Sequence, residues 1–156
     1  MILIQDLFLS DSDINYILEQ WDRYDIEFSK YVINFYFVDF KKHNINLSPI
    51  KNGIFSNKSF EKIRLQKYNN TFKQVTDFHG HENFHNYILF LNNDFEGGEL
   101  EFKNGVTVIP KKGSLVYFNN DEQHRVLPCI GDRWVFTMLG NEYIDLKIEY
   151  RTKSIL

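Results

Sequence analysis

Apolar positions change period near residue 61. Upstream, Ile14, Ile17, Leu18 and Trp21 recur at helical spacing behind Ser10-Asp11-Ser12-Asp13. Ser10 and Asp13 have the offset of a helix N-cap and an acidic third residue, each able to satisfy the other's backbone amide. The spacing predicts a helix from about Asp11 to Tyr24, after a short strand and loop over Ile2 to Leu9. Tyr31 to Phe40 is dense in aromatic and β-branched residues and fits strand or helix. Asn44 to Phe60, with Pro49 and Gly53, reads as mostly irregular.

From Glu61 the pattern turns to a period of two. Ile63, Leu65 and Lys67 alternate with Arg64, Gln66 and Tyr68, as on a pleated strand. Tyr87 to Leu91 is continuously apolar, the mark of a strand covered on both faces. Further short strands are predicted over Glu99 to Phe102, Val106 to Ile109, Ser114 to Phe118, His124 to Leu127 and Arg133 to Leu139. Turn signals separate them at Gly97-Gly98, Pro110-Lys111-Lys112-Gly113 and Gly131-Asp132. Short strands at this spacing predict a β-sandwich or barrel, with the helical N-terminal part packed outside it. Within Arg133 to Leu139, Trp134 and Phe136 alternate with Val135 and Thr137, which reads as barrel packing.

Length and composition narrow this further. The 156 residues suit a single domain, with 1–60 as helical support and 61–140 as barrel core. The 15 Phe and 9 Tyr favour strands around an aromatic core. A net charge of −3 gives no reason to expect a nucleic-acid partner. No apolar run reaches membrane-spanning length, and Met1 to Ser10 lacks the features of a signal peptide. The lone Cys129 allows no internal disulfide and no cysteine-based zinc motif, so a reducing, cytoplasmic setting is expected.

Histidine placement carries the candidate chemistry. Three of five histidines fall within Asp77-Phe78-His79-Gly80-His81-Glu82-Asn83-Phe84-His85. On a strand, His79 and His81 share a face, and a third donor from a distant strand would complete a set of three metal ligands. Imidazole suits iron, zinc, copper or nickel, so the donors alone do not name the metal. His81-Glu82-Asn83-Phe84-His85 also spells H-E-x-x-H. That zinc-protease chemistry needs a helix, whereas Gly80, Asn83, Asn86 and the apolar run that follows predict loop and strand.

Three downstream blocks follow in order. They are Phe90-Leu91-Asn92-Asn93-Asp94-Phe95-Glu96-Gly97-Gly98-Glu99-Leu100-Glu101-Phe102, then Pro110-Lys111-Lys112-Gly113-Ser114-Leu115-Val116-Tyr117-Phe118, then His124-Arg125-Val126-Leu127-Pro128 with Gly131-Asp132-Arg133. With the histidine segment, this order closely resembles the prolyl-4-hydroxylase-like branch of the iron(II)- and 2-oxoglutarate-dependent oxygenases, over about Glu61 to Gly140. The resemblance implies a double-stranded β-helix, a jelly-roll or cupin-like barrel, with Fe(II) at its mouth. It further implies 2-oxoglutarate as co-substrate, ascorbate as a candidate accessory, and a peptide or small-molecule substrate, a peptidyl proline among them. Decarboxylation of 2-oxoglutarate to succinate would be coupled to hydroxylation of a C–H bond.

Carried over residue by residue, His124 matches the distal metal ligand. Arg133 matches the basic residue that grips the far carboxylate of 2-oxoglutarate, a role suited to a planar guanidinium. The chain departs from the family's His-x-Asp pair, which stands here as His79-Gly80-His81. Three arrangements stay open: His81 replaces the carboxylate, an exogenous ligand does, or the register shifts so that His81 leads and Asn83 follows. The first gives His79, His81 and His124 as the metal set. A second departure is Phe90, where the family often has a co-substrate tyrosine; Tyr68, Tyr117 and Thr137 are the candidate substitutes. Two rival readings accompany the departures: a three-His dioxygenase that needs no 2-oxoglutarate, and a barrel kept as a non-catalytic binding module.

Overall fold

The computed structural model describes residues 1–29, 35–68, 77–80, 84–119, 121–146 and 152–153. Its helix, α1 (Asp11–Glu19), starts where the sequence places it. Ser10 Oγ accepts the Asp13 amide at 3.1 Å, and Asp13 Oδ2 accepts the Ser10 amide at 3.0 Å. The second Asp13 oxygen accepts the Lys51 amide at 2.8 Å, so one carboxylate ties the helix start to a distant loop. Lys51 returns the contact: its Nζ donates to the Phe8 carbonyl at 2.7 Å and lies 3.8 Å from the Phe8 ring centroid.

The helix is shorter than predicted. The Gln20 side chain donates to the Tyr16 carbonyl at 2.8 Å, while its backbone amide turns to Ile17. The chain therefore tightens into a 3-10 turn over Gln20–Asp22. Trp21 still reaches the core, meeting Trp134 edge-on with ring centroids 4.8 Å apart.

Residues 1–60 do more than support the barrel from outside. They supply β1 (Ile2–Gln5), β2 (Glu27–Phe28) and β3 (Phe35–Asp39), three strands of the main sheet. The Tyr31 to Phe40 ambiguity resolves as strand over its described part, where Phe35, Phe37 and Val38 are buried.

The later strands are β4 (Phe60–Tyr68), β5 (His85–Phe90), β6 (Glu96–Gly97), β7 (Leu100–Phe102), β8 (Thr107–Val108), β9 (Leu115–Phe118), β10 (His124–Val126), β11 (Cys129–Ile130), β12 (Arg133–Gly140) and β13 (Thr152–Lys153). The main sheet runs β13-β1-β9-β5-β12-β4-β3-β2 and faces smaller sheets β10-β7-β8 and β11-β6. All described pairings are antiparallel. The architecture is a double-stranded β-helix.

The pleat divides the main sheet into two faces. Leu65, Leu89, Phe136 and Met138 pack with Ile14 and Ile17 beneath α1. Phe90, Val116, Phe118 and Val135 point the other way and meet Leu100 and Phe102 of the smaller sheet. This double covering explains the unbroken apolar run of β5. Gly97, expected in a turn, forms β6 opposite Cys129 with φ +74°. A Cβ there would lie 2.2 Å from the Pro128 carbonyl oxygen, so the strands approach more closely than a side chain permits. Among the described residues, no helix is long and apolar enough to cross a membrane.

Asp13→Ala is expected to cost about 2–3 kcal/mol, because a buried carboxylate loses amides from two segments. Urea denaturation compared with Asp11→Ala, an exposed residue of the same first turn, measures the difference.

Candidate active site

Between the two sheets lies a cavity of about 500 Å³. Arg133 opens β12 at its wall and is only 1 % exposed. Its Nε donates to the Gly98 carbonyl at 2.9 Å. The guanidinium carbon lies 4.8 Å from the Tyr68 ring centroid and 5.5 Å from that of Phe90. Tyr68 is the direct partner of Arg133 in the β4–β12 ladder. Just upstream, Asn92 accepts the Trp134 amide at 2.9 Å and donates to the Asp132 carbonyl at 2.8 Å. This turn chemistry fixes where β12 begins.

Burial sets the electrostatics. Desolvation pushes the Tyr68 phenol above its ordinary range, opposed by the Arg133 guanidinium that hydrogen-bonds it. Desolvation also lowers Arg133, opposed mainly by Tyr68. The pair is thus a neutral phenol beside a guanidinium, two donors suited to a carboxylate.

The smaller sheet brings the histidines. His79 and His124 form an antiparallel bridge, with amide-to-carbonyl distances of 3.0 and 2.8 Å. Their ring centroids are 4.4 Å apart. His124 is 5 % exposed and packs against Phe118, centroid to centroid 4.7 Å. Each ring turns Nδ1 toward the carbonyl two residues upstream, Asp77 for His79 and Glu122 for His124, both at 3.3 Å. A proton held there makes Nε2 the lone-pair nitrogen, the tautomer that a metal ligand needs.

Tyr68, His79, His124, Arg133 and Thr137 all line the cavity. Tyr117 does not. The β9 pleat turns it into the core beneath α1, while its neighbours Val116 and Phe118 face the cavity side. Tyr117 contacts Nδ1 of His85 at 2.6 Å through its hydroxyl, and burial pushes its phenol up to about 12. Tyr117 is therefore not among the residues that line the cavity.

His81 lies outside the described residues, as do Glu82 and Asn83, so its place as a ligand is an expectation carried forward. His85 opens strand β5, which is not the helical setting that H-E-x-x-H chemistry requires. Among the described residues, no three His, Cys, Asp or Glu side chains form a metal cluster. His79 and His124 do fit two of the three positions.

Two neighbours of the site escaped sequence reading. The Gly98 carbonyl was hidden because backbone groups leave no residue signature. Arg64 also lines the cavity, and its spacing of four from Tyr68 on one strand was a usable signal.

A double-stranded β-helix with paired imidazoles on one sheet and a buried guanidinium on the other defines a barrel oxygenase. Residues 63–139 match the family model of the 2OG-Fe(II) oxygenase superfamily. Those residues thus carry the domain of iron(II)- and 2-oxoglutarate-dependent dioxygenases.

Solved structures agree on the fold. A Pseudomonas putida prolyl-4-hydroxylase superposes with TM-score 0.64 at 17 % identity, over 91 % of this chain and 93 % of its own. The viral collagen prolyl hydroxylase of Paramecium Bursaria Chlorella virus-1 gives 0.58 at 16 %, over 88 % and 93 %. HygX from Streptomyces hygroscopicus, solved with nickel and 2-oxoglutarate, gives 0.62 at 8 %, over 88 % and 81 %. No curated protein matches the chain by sequence.

Gly98 has φ +70°, and a Cβ there would meet Phe95 at 2.9 Å and the Arg133 side chain at 3.0 Å. Gly98→Ala is expected to cost about 2–3 kcal/mol, from backbone strain and overpacking together. Thermal or urea unfolding of the variant measures it.

Proposed function

We propose that this dioxygenase hydroxylates a C–H bond of a peptidyl prolyl substrate. His79, His81 and His124 would hold the iron, and Arg133 with Tyr68 and Thr137 would bind 2-oxoglutarate. The observation that carries the reading is the placement of Arg133: it lies at the wall of the same cavity that His79 and His124 line. The prolyl substrate is supported by the prolyl hydroxylases among the fold neighbours, one of them from Trichoplax adhaerens in complex with a hypoxia inducible factor peptide.

Iron held there would supply the oxygen chemistry that couples decarboxylation of 2-oxoglutarate to hydroxylation of the substrate. The chain's own residues do the rest. The Arg133 guanidinium and the neutral Tyr68 phenol receive the far carboxylate and fix its direction. Phe90 and Val135 line that end with apolar surface and exclude water around the charge. The bridge between His79 and His124 holds two donors on one rigid sheet, which preserves their spacing. The reading includes a single domain, ascorbate as accessory and a cytoplasmic setting in keeping with the lone, buried Cys129.

The test is anaerobic addition of iron(II) and then 2-oxoglutarate, followed in the visible spectrum. A charge-transfer band that needs both additions is expected. Arg133→Ala should abolish the band and succinate formation, and His124→Ala should lose the iron, while His85→Ala keeps it. Succinate production by Arg133→Ala, or iron retained by His124→Ala, would overturn the assignment.

A further inference from the structure

The concave face of β4 carries Lys62, Arg64, Gln66 and Tyr68 in a row, and all four line the cavity. The cavity wall therefore contains three cations, Lys62, Arg64 and Arg133, and no aspartate or glutamate among the described residues. This is unusual for a chain with more acids than bases overall, 21 against 18.

Arg64 is the informative member. Its guanidinium carbon lies over the Phe37 ring, 4.2 Å from the centroid. Its Nε is buried and has no hydrogen-bond partner among the described residues. Asp39 stands opposite Arg64 in the β3–β4 ladder, yet its Oδ1 accepts the amides of Lys41 and Lys42 at 3.0 and 3.1 Å. No ion pair joins the two side chains. A half-buried guanidinium stacked on a ring and paired with no carboxylate among the described residues keeps its terminal NH groups for an anion in the cavity.

That anion differs from the far carboxylate of 2-oxoglutarate. Arg64 pairs with Thr137, which lies four residues along β12 from Arg133, or ~13 Å at strand rise. Their backbone positions are thus separate places on one sheet, Arg64 standing at the Thr137 end of the co-substrate site.

We infer that Arg64, backed by Lys62 at the rim, is a specificity residue that binds a carboxylate of the hydroxylated substrate. The substrate class is then an acidic peptide or a small carboxylic acid. The inference rests on the oxygenase reading only for the word substrate; the anion site stands on geometry alone.

The experiment is calorimetric titration of the anaerobic iron(II)–2-oxoglutarate protein with matched probes. The peptide pair is Ac-Gly-Asp-Gly-NH2 against Ac-Gly-Asn-Gly-NH2, and the small-molecule pair is N-acetyl-L-aspartate against N-acetyl-L-asparagine. At least tenfold tighter binding of one acid over its amide is expected, and the frame that binds better identifies the source. Arg64→Gln should shrink the ratio below threefold, and Arg64→Lys should restore part of it. Equal or undetectable binding of acid and amide by the native protein overturns the inference. So does a ratio that survives Arg64→Gln, or an acid that displaces 2-oxoglutarate in competition. If the protein takes up no 2-oxoglutarate, the same titration without it still reads the ratio, so failure of the oxygenase reading is seen separately.

Discussion

A guanidinium buried to 1 % exposure imposes conditions on everything near it. Desolvating a cation is costly unless its donors are met. Here the Gly98 carbonyl takes Nε, and the Tyr68 and Phe90 rings offer their negative faces. Gly98 must be glycine because its φ is +70° and its Cα faces the Arg133 side chain. The neighbouring glycine meets the same kind of limit, with the Pro128 carbonyl where a Cβ would stand. The Gly97-Gly98 pair and the β6–β11 bridge thus serve the placement of one charge. Phe90, which lacks the hydroxyl expected there, still contributes its ring face.

Parity along strands decides who takes part. On β12, Arg133, Val135 and Thr137 line the cavity, while Trp134 and Phe136 pack toward α1. On the neighbouring strands Tyr68 lines the cavity, while Tyr117 packs in the core against Tyr87. Assigning that face from sequence requires the register of β9 against β5, where Tyr87 pairs Tyr117.

Much was legible where local chemistry and tertiary demand coincide. The Ser10–Asp13 box marked the helix start because both partners are three residues apart. The apolar run of β5 announced burial on both faces. The helix end was not legible, since it depends on a Gln20 side chain competing for the Tyr16 carbonyl. The first strand was expected, but β3 stayed ambiguous because its aromatic run suits helix or strand and gains stability only from a distant partner, β4. At the site, the ordered motifs singled out His124 and Arg133, and both line the cavity. Arg64 was passed over because alternating polar residues on a strand ordinarily signal a solvent face. On β4 that polar face lines the cavity instead.

This inversion bears on what the barrel can bind. A cavity between sheets is usually closed by apolar side chains, as Val135 and Leu100 do here. Along β4 the pattern yields to Gln66, Arg64 and Lys62, whose stems pack while their heads stay polar. Such a row weakens the hydrophobic term on that face, and Arg64 lacks the carbonyl that Arg133 has. The imidazoles of His79 and His124 add no negative charge to offset it. The electrostatic balance of the cavity therefore tilts toward anions at two separated points, one deep beside Tyr68 and one farther along beside Phe37. A ligand set carrying a carboxylate at each point would neutralise the wall that the fold alone leaves positive.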